Sequence, residues 1–133
     1  MTATAAGEPT TITRESWLAL VVTTIVFFLV VVDVSAVNVA FPSITDDFGT
    51  SEATLSWALS GYNITVAAFL LVAGRLADSW GRKRLFIPGV AVFMVGSFLS
   101  GAAPTAGLLI AARVLQAIGG AIIAPTALAV ILP

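Results

Sequence analysis

Four apolar runs of about 20 residues each use up nearly all of this chain. Each is long enough to cross a hydrocarbon layer about 30 Å thick as an α-helix. They lie at 17–40, 55–73, 85–103 and 106–124 or beyond. Only 10% of the residues are charged and 59% are hydrophobic. A soluble domain carries about 25% charged residues, so a water-facing surface could not be covered here. In lipid every backbone polar group must be satisfied internally, which makes helices the outcome even where Val and Ile dominate. The expected fold class is therefore all-α: a polytopic membrane protein of four transmembrane helices with the lipid bilayer as its partner.

Several function classes fall away on composition. The chain has no cysteine and no histidine, which removes disulfides, Cys/His zinc sites and a histidine proton relay. No metal or cofactor site is expected. No nucleophile–base pair or phosphate-binding loop is present, so an enzyme is not expected. The net charge of −1 and the lack of a basic face outside one loop argue against nucleic acid as a partner.

The segment before the first run, 1–16, is small and polar and reads as a flexible tail. The first run is long for a signal peptide, and one basic residue, Arg14, precedes it. It reads as an uncleaved helix with Trp17 at the interface. Asp33 is the one acid well inside any run. Ser35 and Asn38 share one helical face, and Asp33 lies more than 100° from both. Pro42 is read as the start of an acidic loop with Asp46, Asp47 and Glu52, and Ser51 as the cap of the second helix. Trp57 and Tyr62 read as interfacial aromatics. Ser56, Ser60, Gly61, Asn63 and Thr65 make that half of the second run polar, suited to a cavity lining or to hydrogen bonds between helices.

Between the second and third runs stands Gly-Arg-Leu-Ala-Asp-Ser-Trp-Gly-Arg-Lys-Arg-Leu, residues 74–85. It holds four of the six basic residues. Gly74 and Gly81 bracket Asp78, and Arg82, Lys83 and Arg84 follow. A tight charged hairpin suits this chemistry. An ordinary basic loop would account for Arg75, Arg82, Lys83 and Arg84, but not for Gly74, Asp78 and Gly81 at these offsets. With an inside amino terminus, Arg14 and this loop face the cytoplasm and no Lys or Arg lies in the outer loops, so the positive-inside rule predicts that orientation in the cell membrane.

In the third run, Gly96 and Ser100 are four apart, as are Ser97 and Gly101, which reads as helix packing; Pro88 is placed in its first turn. In the fourth run, Arg113, Gln116, Gly120 and Ala124 fall on one stripe. Arginine in lipid costs about 2.5–3.5 kcal/mol on insertion scales, so Arg113 needs an anion, water or a substrate. Pro125 is expected to kink or end that helix.

Three of these stretches resemble motifs of the major facilitator superfamily. The 74–85 segment resembles the signature loop between its second and third helices, G-x-L-A-D-x-x-G-R-K-x-L. Residues 32–42, V-D-V-S-A-V-N-V-A-F-P, resemble the L-D-x-T-x-V-N-x-A-L-P motif of its fourteen-helix drug:proton antiporter branch, with Val32, Ser35 and Phe41 departing from it. Residues 113–121 resemble the fourth-helix motif R-x-x-Q-G-x-G-x-A, with Ala117 in place of the first glycine and Gly119 and Gly120 within it.

The resemblance implies a bundle equivalent to the first four helices of a facilitator, hence an incomplete one. It implies a small-molecule substrate and protons as partners, with the remaining helices or an oligomeric partner needed to enclose a site. The expected function is an amino-terminal fragment of a proton-coupled exporter of drugs or other lipophilic compounds. Alternatives are an inactive remnant, a tetraspan protein active as an oligomer, or a carrier of sugars or other metabolites. Candidates for coupling or substrate contact are Asp33, Asn38, Arg113 and Gln116. The loop from Gly74 to Arg84 would act as a gate latch, and Gly96, Ser100, Gly119 and Gly120 as packing positions.

Overall fold

The computed structural model describes residues 14–131, and most of the tail expected at 1–16 lies outside them. Four helices follow one another: α1 (Arg14–Phe48), α2 (Glu52–Trp80), α3 (Arg82–Gly101) and α4 (Ala106–Ile131). All four contain a stretch long and apolar enough to cross a membrane. The protein is an all-α, multi-pass membrane bundle.

The helices are longer than the apolar pattern indicates. Pro42, expected to open a loop, sits inside α1, as Pro88 sits inside α3 and Pro125, expected to kink or end its helix, inside α4. Each removes one backbone donor, but ending a helix would expose several backbone groups, so the helix continues. The true stop of α1 is Gly49, at φ 56°. Its N–H donates to the Asp46 carbonyl, and the Thr50 N–H donates to that of Thr45. This paired C-terminal cap needs a residue that tolerates the left-handed conformation. Asp46 and Asp47 are thus the last turn of α1 rather than a loop. Ser51 caps α2, its Oγ accepting from the Thr54 N–H at 3.2 Å.

The expected hairpin at 74–84 is also shorter. Helix α2 runs through Gly74, Arg75 and Asp78 to Trp80, and Gly81 alone makes the turn, at φ 94° and ψ 128°. Its carbonyl accepts from the Arg84 and Leu85 N–H groups, which starts α3. Pro88 therefore lies in the second turn of α3, not the first.

Helix α4 is the hub, packing on α1, α2 and α3. Half of its apolar span is buried within the chain, against 6% of that of α1. Two apolar clusters mark the ends of the bundle. Leu55, Ala58 and Leu109 pack with Phe41, Ile44 and Phe48 at one end. Phe93, Ile123 and Ala127 pack with Val26, Val30, Phe86 and Val90 toward the Gly81 end. Glycines bring α3 onto α4. A Cβ on Gly96 would stand 2.6 Å from the Gln116 backbone, and one on Gly119 would meet the Phe93 backbone and, at 2.8 Å, the Gly89 carbonyl. Gly101 faces open space and takes no part. The outer faces of α1, α2 and α3 are covered with large apolar side chains, among them Phe28, Leu71 and Phe98. That suits lipid or further helices and not water.

Candidate functional site

Between the two apolar clusters lies a polar one, contributed by all four helices. Arg113 and Gln116 are one turn apart on α4 and fully buried. Arg113 Nη1 donates to Asp33 Oδ2 of α1 at 2.5 Å and to Gln116 Oε1 at 2.9 Å. The second carboxylate oxygen, Oδ1, accepts from Ser97 Oγ of α3 at 3.1 Å. Ser100, one turn along α3, approaches Gln116 Oε1 at a long 3.5 Å. From α2, the Tyr62 ring lies under the guanidinium, with Cζ 4.5 Å from the ring centre. A cation over an aromatic face in a dry site gains about 2 kcal/mol.

Local sequence explains how these side chains meet. Leu55, Ala58 and Tyr62 form a buried stripe at helical spacing on α2. Gly120 lets Tyr62 in, because a Cβ there would stand 3.0 Å from the phenol oxygen. Gly96 lets α3 close onto Gln116, which brings Ser97 to the depth of Asp33.

The electrostatics are those of a buried ion pair. Removing one partner of such a pair is far more damaging than replacing both, because an uncompensated charge remains. The partners are unequally placed: the Arg113 side chain is 1% exposed and that of Asp33 is 20% exposed. The acid is thus the open side of the pair. Arg113 Nε and Nη2 and Gln116 Nε2 are buried without an acceptor among the described residues. The cluster can therefore offer donors to a further acceptor.

Of the four residues proposed from sequence for coupling or substrate contact, Asp33, Arg113 and Gln116 converge. Asn38 does not join them. It is exposed on α1, its Nδ2 donating to the Val34 carbonyl at 2.9 Å, and Ser35 likewise donates to that of Val31. Tyr62 and Ser97 belong to the cluster, although the sequence suggests an interfacial aromatic and a packing position. The available signal for Tyr62 was its place on the apolar stripe; for Ser97 none stood out.

The Gly81 junction is a separate, exposed group. Arg82 pairs with Asp78 at 3.4 Å, with both side chains at least half exposed. Arg75, Lys83 and Arg84 are exposed beside them. These charges oppose the helix dipoles, with an acid near the C-terminus of α2 and bases in the first turn of α3. Helix stability alone does not account for them. A Cβ on Gly74 would meet nothing within 4 Å, so no close approach requires a glycine there in the described chain.

The chain is 43% identical over 115 residues to a puromycin resistance protein of Streptomyces alboniger, covering 86% of this chain and 23% of that protein. It is 43% identical over 115 residues to a cephamycin export protein of Amycolatopsis lactamdurans, covering 86% and 24%. It is 36% identical over 128 residues to a lincomycin resistance protein of Streptomyces lincolnensis, covering 96% and 27%. The chain thus spans about a quarter of the length of these curated relatives. A family model described as Major Facilitator Superfamily matches residues 23–132. With four spanning helices and this match along most of its length, the chain belongs to the Major Facilitator Superfamily.

Proposed function

We propose that this chain is the amino-terminal part of a secondary transporter that exports drugs or other lipophilic compounds in exchange for protons. The observation that carries the proposal is the Asp33–Arg113 pair, buried in an apolar bundle and backed by Ser97, Gln116 and Tyr62. An ionisable pair is costly in lipid and by default marks a proton or substrate pathway. Asp33 is the proton carrier, and Arg113 holds its charged form. The relatives named for drug resistance and antibiotic export support the substrate class.

The remaining helices of the complete protein supply the other wall of the pathway. The donors on Arg113 Nε, Arg113 Nη2 and Gln116 Nε2 are available to acceptors there or on a substrate. Ser35 and Asn38 lie on an exposed face of α1 that such a wall would cover. The amino terminus and the Gly81 junction face the cytoplasm, where Asp78, Arg82 and Arg84 act as a latch on one conformation.

The test is efflux of a fluorescent drug from cells or vesicles that carry the complete protein under an imposed pH gradient. Efflux that follows the gradient and stops when a protonophore removes it is the expected result. Efflux indifferent to the gradient, or none with any lipophilic compound, contradicts the proposal.

A further inference from the structure

We propose that Ser97 is a positioning residue of the coupling site, a hydroxyl that holds the Asp33 carboxyl both when it is charged and when it carries a proton. Ser97 has this role only if Asp33 carries the coupled proton, so it rests on the function proposed above. The two carboxylate oxygens have different partners. Oδ2 is held by Arg113 Nη1, and Oδ1 by Ser97 Oγ at 3.1 Å. A guanidinium donates and never accepts. A proton that arrives from water on the exposed side of Asp33 therefore finds no acceptor in Arg113.

Serine both donates and accepts. When Oδ1 takes the proton, a new O–H bond forms there and no other covalent bond changes. The serine hydroxyl rotates, its Oγ accepts from the acid, and its own proton turns to the carbonyl of Phe93, four residues back on α3. Ser35, Thr45, Thr65 and Thr126 already donate to carbonyls four residues back in this structure. Gln116 Oε1 accepts from Arg113 at 2.9 Å and from Ser100 at 3.5 Å, and makes no hydrogen bond to Asp33 among the described residues.

Packing supports a positioning role. Gly96 fixes the height of α3 against α4, with Gln116 in direct contact. Ser97, about 100° further round the helix, is then aimed at α1. Its partner in the small-residue spacing, Gly101, faces open space, so the serine is not explained by helix packing. The other charged or titratable groups that face Asp33 are Arg113 from α4 and Tyr62 from α2. Among the described residues α3 brings only Ser97, since Arg82, Lys83 and Arg84 lie at its far end.

The experiment measures drug efflux as a function of pH for the complete protein and for Ser97→Ala, Ser97→Thr and Asp33→Asn, each normalised to protein in the membrane. Ser97→Ala loses a hydrogen bond to both forms of the acid and should lower proton-driven efflux several-fold across the pH range, whereas Ser97→Thr, which is larger but keeps the hydroxyl, should restore it. Wild-type efflux from Ser97→Ala overturns the proposal, as does a loss in Ser97→Thr as large as that in Ser97→Ala. Asp33→Asn separates the two levels. If it abolishes coupling while Ser97→Ala leaves efflux unchanged, Asp33 stands and Ser97 falls; if it leaves coupling intact, both fall.

Discussion

Gly96 of α3 lies against Gln116 of α4 so closely that a Cβ on the glycine would stand 2.6 Å from the glutamine N, Cα and Cβ atoms. The contact is backbone on backbone and cannot relax by a rotamer change. Gly96→Val should therefore push α3 from α4 and destabilise the protein by about 1–3 kcal/mol, the usual range for overpacking. Gly101→Ala, where nothing lies within 4 Å, should be neutral or slightly stabilising. Thermal unfolding of the purified complete protein distinguishes the two; equal effects would contradict the packing described.

The Asp33–Arg113 pair predicts strong non-additivity. Arg113→Gln alone leaves a carboxylate in an apolar bundle, and Asp33→Asn alone leaves a guanidinium there. Each should lower stability, by about 3–5 kcal/mol at most. The double variant should be less destabilised than the sum of the two single variants, with an interaction energy of about 0.5–3 kcal/mol. Simple additivity in thermal or denaturant unfolding would mean that the pair does not form in the folded protein.

Gly81 carries the turn between α2 and α3 at a backbone conformation that side chains rarely adopt. Gly81→Ala should cost about 1–3 kcal/mol in strain, whereas Gly74→Ala, inside a helix with open space around it, should not destabilise. The amount of folded protein recovered in mild detergent reads this difference.

Asp78 and Arg82 form an exposed pair, and such pairs contribute about 0–1 kcal/mol to stability. Asp78→Ala should leave membrane insertion and unfolding temperature nearly unchanged. If the junction is a latch, the same variant should lower transport several-fold. Wild-type turnover in this variant would remove the latch from the account.

Topology is directly testable because the chain contains no cysteine. Single cysteines at Asp47→Cys and Lys83→Cys, in a complete protein without other cysteines, would be exposed to a membrane-impermeant thiol reagent. Only the former should react in intact cells. Reaction at position 83 from outside would reverse the orientation inferred from the basic residues.

Much of this was legible in the sequence, for physical reasons. Apolar runs of membrane length fix the number and kind of elements, because lipid leaves the backbone no other choice. Arg113 declared itself because a buried cation needs a partner, and Asp33 was the one acid well inside an apolar run. Helix ends were less legible. Pro42 looks like a boundary by rules learned in water, where a broken helix is hydrated at little cost. The stop at Gly49 rests on two backbone hydrogen bonds that the residue type alone does not announce. Tyr62 and Ser97 were harder still. Each joins the site through a contact between helices: Gly120 of α4 opens space for Tyr62, and Gly96, beside Ser97 on α3, sets its depth by packing on Gln116 of α4. Such contacts depend on which helices pack, and four helices of similar apolarity do not specify that by pattern.

The central claim is that Asp33 carries the proton exchanged for substrate. The most direct measurement is proton release on adding substrate to the purified complete protein in weakly buffered detergent solution, followed with a pH indicator. The wild type should release protons in proportion to substrate bound, and Asp33→Asn should bind substrate with no release. Equal proton release from both would contradict the assignment of Asp33 as the coupling acid.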